Sequence, residues 1–337
     1  MNRIRFQKAI LWKVLPESKV RCNACAHRCI INEGKYGICG TRKNIDGKLF
    51  TNVYEYPLAV NVDPIEKKPL FHFLPGSKAL SIGTAGCNFK CSFCQNYDIS
   101  QMRGDTISGK HVSIKELLDE AEANYCKSIA YTYNEPVVFL EYTLDTAMEA
   151  HKRGLKNVYI SNGFETEETL QLLKGKIDAM NIDLKAFTET FYQKHCKGRL
   201  APVLSTIRSA FEMGIWLEIT SLLIPGENDS ENEIRQMAKF IASVSKEIPW
   251  HLSRFFPTYR MTNKPATSLR KLETARKIGL AEGLHYVYVG NVPLERNTTF
   301  CPMCGKPLIV RNIYNLTKNS VKNGKCPYCG QAVSGVF

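Results

Sequence analysis

Three cysteines lie close together in the segment GTAGCNFKCSFCQN, residues 83–96. Thiolates with the spacing C-x-x-x-C-x-x-C can bind three irons of a [4Fe–4S] cube and leave the fourth iron without a protein ligand. An open coordination position distinguishes a reactive metal site from a structural one. Cys87, Cys91 and Cys94 are therefore the candidate catalytic residues, and a three-ligand zinc site or a chance cluster is the alternative.

Four cysteines in the last forty residues or so of the sequence occupy two C-P-x-C-G turns, at Cys301, Cys304, Cys326 and Cys329. Each turn presents two thiolates on one side of a tight loop, and two such turns make a closed tetrahedral site. The pattern resembles a zinc ribbon and favours zinc over mononuclear iron. We expect a structural role, with binding of a protein partner or of nucleic acid as the alternatives.

A third set of cysteines precedes the central motif, at Cys22, Cys25, Cys29 and Cys39. Glycines at positions 34, 37 and 40 permit a compact loop that returns Cys39 to the other three. A structural zinc site is the first expectation, and a second iron–sulfur cluster that passes electrons to the central one is the alternative. His27 is expected to donate a hydrogen bond near this site rather than to bind metal.

The thirteen cysteines also indicate the compartment. Disulfides are disfavoured in the cytosol, so clustered cysteines there indicate metal binding. No apolar run approaches the ~18 residues of a spanning helix, and Lys13 interrupts the apolar stretch near the start, before any small-residue cleavage site. We therefore expect a cytoplasmic protein without membrane association. Cys126 and Cys196 stand alone and receive no role.

The formal net charge of +13 is unevenly distributed. Residues 1–50 carry +8, residues 296–337 carry +6, and the sequence between them carries −1. Basic ends can contact nucleic acid or another acidic partner. They can equally compensate the thiolates of the terminal cysteine sets, which the formal count treats as neutral, so nucleic-acid binding is the less favoured interpretation.

Seven β-rich runs alternate with amphipathic helical patterns between residues 79 and 290. The runs are mostly apolar, as in strands buried on both faces, and they lie at 79–84, 128–133, 157–162, 180–185, 216–223, 250–256 and 285–290. This alternation predicts an α/β fold, a partial (open) barrel of six or seven parallel strands, with the active site at the carboxyl ends of the strands. The predicted division is a Cys-rich region over 1–62, the barrel over 63–295 and a zinc-ribbon-like domain over 296–337.

Residues 79–292 resemble the radical S-adenosylmethionine (SAM) superfamily. The resemblance rests on the central motif together with TYNEP (132–136), ISNGF (160–164), NIDLK (181–185) and LLIPGEND (222–229). It implies a [4Fe–4S] cluster and SAM as cofactors, with Phe93 near the adenine and Asn134 and Glu135 near the methionine amino group. It further implies that Ser161, Asp183 and Lys185 contact the ribose and carboxylate. Ser221, just before the LLIPGEND turn, and His251, in the sixth run, complete the candidate cofactor contacts.

A closer resemblance covers nearly the whole chain. The segments 19–42, 63–96 and 249–261 resemble the radical SAM enzyme of the AmmeMemoRadiSam system, a family related to the pyruvate-formate-lyase activating enzymes. Phe256 departs from that family, which often has histidine there.

This resemblance implies an oxidoreductase that reductively cleaves SAM to a 5′-deoxyadenosyl radical and takes a hydrogen atom from an unidentified substrate. The implied partners are Memo-type companion proteins and a ferredoxin- or flavodoxin-type reductant. The alternatives are an activating enzyme that makes a glycyl radical on a partner enzyme, and a nucleic-acid-modifying radical enzyme. A non-catalytic electron carrier fits poorly with only three central cysteines.

Overall fold

The structure is a computed structural model that describes residues 5–107, 109–292 and 297–337. Its first part contains two small antiparallel sheets, with the strand orders β2-β3-β4 and β1-β6-β5. The strands are β1 (Gln7–Lys8), β2 (Trp12–Val14), β3 (Val20–Cys22), β4 (Ile30–Ile31), β5 (Arg42–Ile45) and β6 (Lys48–Thr51).

The central sheet has eight strands in the order β14-β13-β12-β11-β10-β9-β8-β7. Seven neighbouring strands run parallel, and β7 pairs antiparallel with β8 at one edge. The strands are β7 (Ala59–Pro64), β8 (Lys78–Gly83), β9 (Ser128–Tyr131), β10 (Lys156–Ser161), β11 (Ala179–Asp183), β12 (Trp216–Leu223), β13 (Trp250–Arg254) and β14 (Val287–Gly290). The predicted α/β architecture, an open barrel of six or seven parallel strands, is confirmed with seven parallel strands, and the sheet is open because β14 and β7 form separate edges.

Helices cross over between the parallel strands. They are α1 (Tyr97–Ser100), α2 (Ile114–Ala123), α3 (Leu140–Lys152), α4 (Glu167–Leu173), α5 (Glu189–Phe191), α6 (Leu200–Glu212), α7 (Glu231–Val244) and α8 (Leu269–Ala281). Their starts follow local chemistry: the Ser230 side chain accepts from the backbone N–H of Glu233 at 3.2 Å, as the capping spacing predicts. α8 is followed by Gly283, whose φ of +94° suits only glycine. No helix in the described ranges is long and apolar enough to cross a membrane.

Alternate residues of each central strand face opposite sides of the sheet. On β12, Leu217, Ile219 and Leu223 pack into the main apolar core with the helices, whereas Glu218 and Thr220 face inward. The inner face is crossed by the segment 65–77 that joins β7 to β8. Its backbone N–H groups at Phe71 and His72 donate to the Glu218 carboxylate at 2.9 and 2.8 Å, so this segment closes one end of the open barrel.

A three-stranded antiparallel sheet follows the barrel, with the order β15-β16-β17 and the strands β15 (Thr299–Phe300), β16 (Pro307–Asn312) and β17 (Asn315–Asn319). It is anchored on the segment 65–77. Phe73 forms a parallel bridge with Val336, and the fully buried Arg311 donates to the carbonyl of Phe71.

The predicted domain boundaries meet two features of this fold. β7 is part of the central sheet and crosses the boundary predicted at residue 62. The boundary predicted between residues 295 and 296 lies outside the described residues.

Candidate active site and metal centres

A cavity of about 510 Å³ lies at the carboxyl ends of the parallel strands. Side chains that the sequence identified separately line it together: Cys87, Cys91, Phe93, Cys94, Asn134, Ser161, Asp183, Lys185 and His251. They come from the loops after β8 and β9 and from the carboxyl ends of β10 and β11, while His251 reaches the cavity from the first half of β13. This is the edge at which parallel α/β barrels collect functional residues.

The loop that carries the three cysteines is held in a specific shape. Gly86 has a φ of +82°, and a Cβ atom there would lie 2.6 Å from the carbonyl oxygen of Cys39. Farther along, the backbone N–H of Lys90 donates to the Cys196 carbonyl at 2.8 Å and that of Ser92 to the His195 carbonyl at 2.9 Å. The loop is therefore fixed between the first part of the chain and the segment after α5.

The three central thiols fit a multi-iron cluster. Their sulfur atoms do not form a group within 4.8 Å of one another, although the chain has such a group elsewhere. Thiolates that bind different irons of a cube lie farther apart than thiolates that share one ion. The neighbouring Cys196 thiol, together with burial, raises the pKa of the Cys91 thiol well above its usual range.

Asn134 presents an unpaired acceptor at this cavity. Its amide nitrogen donates to the Gly86 carbonyl at 2.6 Å, and because a carbonyl can only accept, this bond fixes the orientation of the amide. The buried Oδ1 then has no hydrogen-bond partner in the described part of the chain. An acceptor in this state suits a ligand that brings an N–H group, such as the amino group of SAM.

Asp183 and Lys185 form an ion pair of 2.6 Å on the cavity wall. Asn228 supports it from behind, because its amide nitrogen donates to the Lys185 carbonyl at 2.6 Å and its Oδ1 accepts from the Ile224 N–H at 2.6 Å. The LLIPGEND turn therefore braces Lys185. Burial alone would lower the pKa of Lys185, but Asp183 raises it well above its usual range, so the amine stays charged.

Glu135 does not line the cavity. It is fully buried, and its carboxylate accepts from the backbone N–H of Asn162 at 2.7 Å, that of Val137 at 3.3 Å and the Ser161 hydroxyl at 3.1 Å. Burial and then the neighbouring Glu165 raise the pKa of Glu135 well above its usual range. The structure therefore places Glu135 behind the cavity wall, where it supports Ser161 and the β10 turn, and its cofactor contact stays a prediction.

Ser221 also lies outside the cavity lining, and its cofactor contact stays a prediction. Its hydroxyl donates to the Leu184 carbonyl at 2.7 Å and accepts from the indole N–H of Trp250 at 3.0 Å, on the helix side of the sheet. Its neighbour Thr220 lines the cavity instead and donates to the Asn181 side chain at 2.9 Å. Thr220 and Asn181 were missed, although the alternation of polar residues at 218 and 220 was a signal for the inner face.

Phe93 and His251 both lie in the cavity wall, but Phe93 has an apolar neighbour and His251 a charged one. Phe93 is buried and packs on Phe191 with ring centroids 5.8 Å apart. His251 bonds the Glu218 carboxylate at 2.7 Å with its Nε2. Because that nitrogen is occupied, any contact of His251 with a ligand must come from the rest of the ring.

The C-terminal cysteine set has the geometry of a mononuclear site. The sulfur atoms of Cys301 and Cys329 lie 3.6 Å apart, and those of Cys304 and Cys326 lie 3.7 Å apart. A tetrahedral site with Zn–S bonds of about 2.3 Å places its sulfur atoms about 3.8 Å apart. Among the described residues, this is the one group of three or more such ligand atoms that all lie within 4.8 Å.

The first cysteine set encloses a separate cavity. Cys22, Cys25, Cys29 and Cys39 all line it, yet no three of their sulfur atoms meet within 4.8 Å. His27 donates its Nε2–H to the Asn88 carbonyl at 2.9 Å, because a carbonyl can only accept, and this agrees with the expected hydrogen-bonding role. The four cysteines are gathered, but more widely than the C-terminal four.

The comparisons with known proteins agree with this geometry. Residues 81–241 match the profile of the radical SAM superfamily. An uncharacterized protein of Methanocaldococcus jannaschii is 41% identical over 335 residues, which are 98% of this chain and all of that one. The benzylsuccinate synthase activating enzyme of Thauera aromatica is 28% identical over 40% of this chain and 43% of its own length.

The fold also has counterparts among solved structures. The crystal structure of a radical SAM methyltransferase from Sphaerobacter thermophilus superimposes with a TM-score of 0.51 at 17% identity. The match covers 70% of this chain and 71% of that one. At this identity the likeness concerns the fold alone.

Proposed function

The chain belongs to the radical SAM superfamily, and from this premise we propose that it reductively cleaves SAM at the Cys87–Cys91–Cys94 site. When bound there, the open [4Fe–4S] cluster would supply one electron to SAM, whose bond between sulfur and the adenosyl carbon would break into methionine and a 5′-deoxyadenosyl radical that takes a hydrogen atom from a substrate. The observation that carries the proposal is a single cavity lined by three kinds of group. These are the three central thiols, the unpaired side-chain oxygen of Asn134, and the ion pair of Asp183 with Lys185.

The polar groups of the chain give each end of SAM a partner. Asn134 Oδ1, unpaired and buried, accepts from the methionine ammonium group. Lys185 binds the methionine carboxylate through a charge-assisted hydrogen bond, and Asp183 accepts from a ribose hydroxyl. The protein contributes binding and orientation here, while the hard chemistry belongs to the cofactors.

The apolar groups of the chain exclude water from the same space. Phe93, buried against Phe191, offers the adenine a flat apolar surface. Pro69 and Phe71 of the segment 65–77 also line the cavity. A radical that met water or solvent-borne oxygen would be lost, so this closure protects the reaction.

The substrate we propose is a small molecule or an intermediate bound to a Memo-type companion protein, with a ferredoxin or flavodoxin as reductant in the cytoplasm. This rests on the whole-chain resemblance to the AmmeMemoRadiSam enzymes. A second candidate is the formation of a glycyl radical on a partner enzyme. The similarity to the benzylsuccinate synthase activating enzyme favours it.

The test follows 5′-deoxyadenosine under anaerobic conditions. Reconstituted protein with SAM and dithionite should form it, and Cys87→Ala, Cys91→Ala or Cys94→Ala should abolish its formation because an iron loses its ligand. Cys126→Ala is the matched control, since that thiol is buried and lines neither of the two cavities that hold the other cysteine sets. Product at the wild-type rate from a central-cysteine variant contradicts the proposal.

The two substrate classes are separated by the same protein. With companion proteins present, a companion-dependent rise in 5′-deoxyadenosine and a new small-molecule product support the first. A persistent glycyl-radical signal on a partner enzyme in electron paramagnetic resonance (EPR) supports the second. For the C-terminal cysteines we propose structural zinc, measured as about one zinc per chain that survives removal of iron.

A further inference from the structure

We propose that Cys22, Cys25, Cys29 and Cys39 bind a second [4Fe–4S] cluster, which hands electrons to the cluster at Cys87, Cys91 and Cys94. The binding site stands on its own geometry. The electron-transfer role rests on the proposed function above, and the experiment below tests the two parts separately.

The separation of the sulfur atoms favours a cluster over a single metal ion. The C-terminal four pack within 4.8 Å of one another, as one tetrahedral ion requires, whereas no three of the first four do so. The central three share this wider arrangement. One chain therefore contains both kinds of site, and the first set groups with the iron–sulfur set.

The space between these four cysteines is small, about 20 Å³, and takes only a compact group that bonds directly to the sulfur atoms. The other lining side chains are mostly apolar, and they include Ala24, Ile31, Val137 and Val138. A mononuclear tetrahedral site has its ligands in mutual contact around the ion and encloses no further cavity. A cube of four irons and four sulfides needs such a space, and an apolar wall shields it from water.

A buried cation faces the same space. Arg42 lines the cavity with its side chain 2% exposed, and its Nε has no hydrogen-bond partner in the described ranges. The rest of the guanidinium is used, because one terminal nitrogen pairs with Glu141 at 2.9 Å and the other donates to the Ile10 carbonyl at 3.3 Å. The free N–H is suited to a sulfide or thiolate of an anionic cluster.

The first set is in direct contact with the central loop. A Cβ atom on Gly86, the residue before Cys87, would lie 2.6 Å from the Cys39 carbonyl oxygen, so the two ligand-bearing backbones touch. A second link runs on the other side of Cys87, where the Asn88 carbonyl accepts from His27 at 2.9 Å. His27 stands between Cys25 and Cys29, so each neighbour of Cys87 contacts the ligand loop of the first set.

This contact provides a path for one electron at a time. An external ferredoxin- or flavodoxin-type carrier reduces the first cluster from the 2+ to the 1+ state. That cluster returns to 2+ when it reduces the central cluster to 1+, which is the state needed for SAM cleavage. Each electron delivered by the carrier thus leaves through SAM, and no other reductant is required.

The binding site is tested in a full-length variant with Cys87, Cys91 and Cys94 all changed to Ala. After anaerobic reconstitution we expect about four irons per chain and a reduced-cluster EPR signal that SAM does not alter, because all four irons have protein ligands. Iron-free protein that contains about two zinc ions per chain overturns the proposal. The unchanged melting temperature of the variant, relative to wild type, serves as the folding control.

A second variant keeps the proposal testable if cysteine loss impairs folding. In Cys29→Ser, within the triple-alanine background, a serine oxygen replaces one thiolate at the least enclosed position. An iron–sulfur cluster there should show a shifted EPR spectrum and a shifted reduction potential. An identical spectrum and potential in both proteins mean that Cys29 is not a ligand and contradict the assignment.

The electron path is tested in the converse protein, with Cys22 and Cys25 changed to Ser and the central cysteines intact. The ratio of 5′-deoxyadenosine formed with reduced flavodoxin to that formed with dithionite should fall at least tenfold below wild type. A ratio equal to that of wild type and of Cys126→Ala refutes the electron path. Absence of product with either reductant in wild type, when the first cluster is present, contradicts the proposed function and leaves the cluster assignment standing.

Discussion

At the scale of single residues, the cavity works because its polar atoms are only partly satisfied. The amide nitrogen of Asn134 donates to the Gly86 carbonyl, and its side-chain oxygen has no partner among the described residues. Both carboxylate oxygens of Glu135, in contrast, accept hydrogen bonds from the end of β10 and the turn after it. The sequence places these residues side by side, and the family resemblance favours Glu135 over Asn134 as a cofactor contact. Their hydrogen-bond partners come from residues 86 and 161–162, which only the fold brings close.

Replacement of Lys185 by Met should raise the KM for SAM about tenfold, because about 1.4 kcal/mol of charge-assisted binding is lost. The Lys185 side chain is 13% exposed and that of Asp183 is 37% exposed, so water screens this pair only in part. Lys152→Met is the matched control. Lys152 pairs with Glu149 at the same 2.6 Å, but its side chain is 69% exposed and far more strongly screened. Equal KM values for the two variants would contradict a SAM contact at Lys185.

At the scale of elements, one residue of register separates a cavity residue from a core residue. Thr220 and Ser221 are adjacent in β12 and chemically similar, but the two-residue period of a strand sends them to opposite faces. The sequence predicts the strand and its position in the barrel correctly. Glu218 and Thr220 indicate the inner face, but the sequence leaves the assignment open because Ser221 and Leu222 break the polar–apolar alternation in a strand buried on both sides.

The variants Thr220→Val and Ser221→Ala should therefore have opposite profiles. Ser221→Ala removes partners from the Trp250 indole and the Leu184 carbonyl and should lower the free energy of unfolding by about 1–3 kcal/mol. Thr220→Val keeps the shape of the side chain and should mainly change the steady-state KM for SAM. Chemical denaturation and deoxyadenosine kinetics on both variants measure the contrast, and a KM effect confined to Ser221→Ala would reverse our assignment of the faces.

The three cysteine sets show what spacing predicts and what it leaves open. Local spacing indicates metal binding at all three, because each motif brings its own thiols into one loop or two. It does not distinguish zinc from a cluster at Cys22, Cys25, Cys29 and Cys39, since both need four thiolates. The separation of the sulfur atoms depends on residues far along the chain, such as Val137 and Val138, which hold the cavity open.

At the scale of the whole molecule, the segment 65–77 is fixed between β12 of the central sheet and the C-terminal part of the chain. Arg311 of β16 lies over the Phe71 ring at 4.4 Å and approaches Glu66 at 3.5 Å, with both charged side chains fully buried. Burial raises the pKa of Glu66, and Arg311 opposes this rise. The sheet β15–β17 is therefore joined to the segment 65–77 of the barrel through a buried charged contact.

Arg311→Met should lower the free energy of unfolding by about 3–5 kcal/mol, because Glu66 would remain buried without its partner. Adding Glu66→Gln should recover part of this loss, which a double-mutant cycle of urea unfolding measures. Lys318→Met, an exposed change on the neighbouring strand β17, is the control and should stay within about 0.5 kcal/mol. Additive losses from the two core changes would show that Arg311 and Glu66 are independent.

His72, in the same segment 65–77, makes the stability of the fold pH-dependent. Burial lowers its pKa from the usual 6.5 to about 4, and its neutral ring bonds the Ser334 carbonyl at 2.7 Å and the Tyr288 hydroxyl at 2.6 Å. Between pH 6.5 and 4 the imidazole of His72 is protonated in the unfolded chain but not in the folded chain. The contribution of His72 to the free energy of unfolding is therefore complete above pH 6.5 and declines as the pH falls. The full contribution is about 3 kcal/mol.

Unfolding free energies of wild type and His72→Gln should therefore converge as the pH is lowered from 7 to 4.5. The wild type should lose up to about 1.4 kcal/mol per pH unit more than the variant within this window. Denaturant titrations at four or five pH values give the two slopes. Parallel pH profiles would mean that the buried ring does not exclude the proton.

The bridge between Phe73 and Val336 makes the segment 65–77 a shared part of two structures. Its residues Pro69 and Phe71 line the cavity, while Phe73 pairs with Val336 beside the C-terminal cysteines. A loss of order around Val336 would therefore reach the cavity wall through a few residues of backbone.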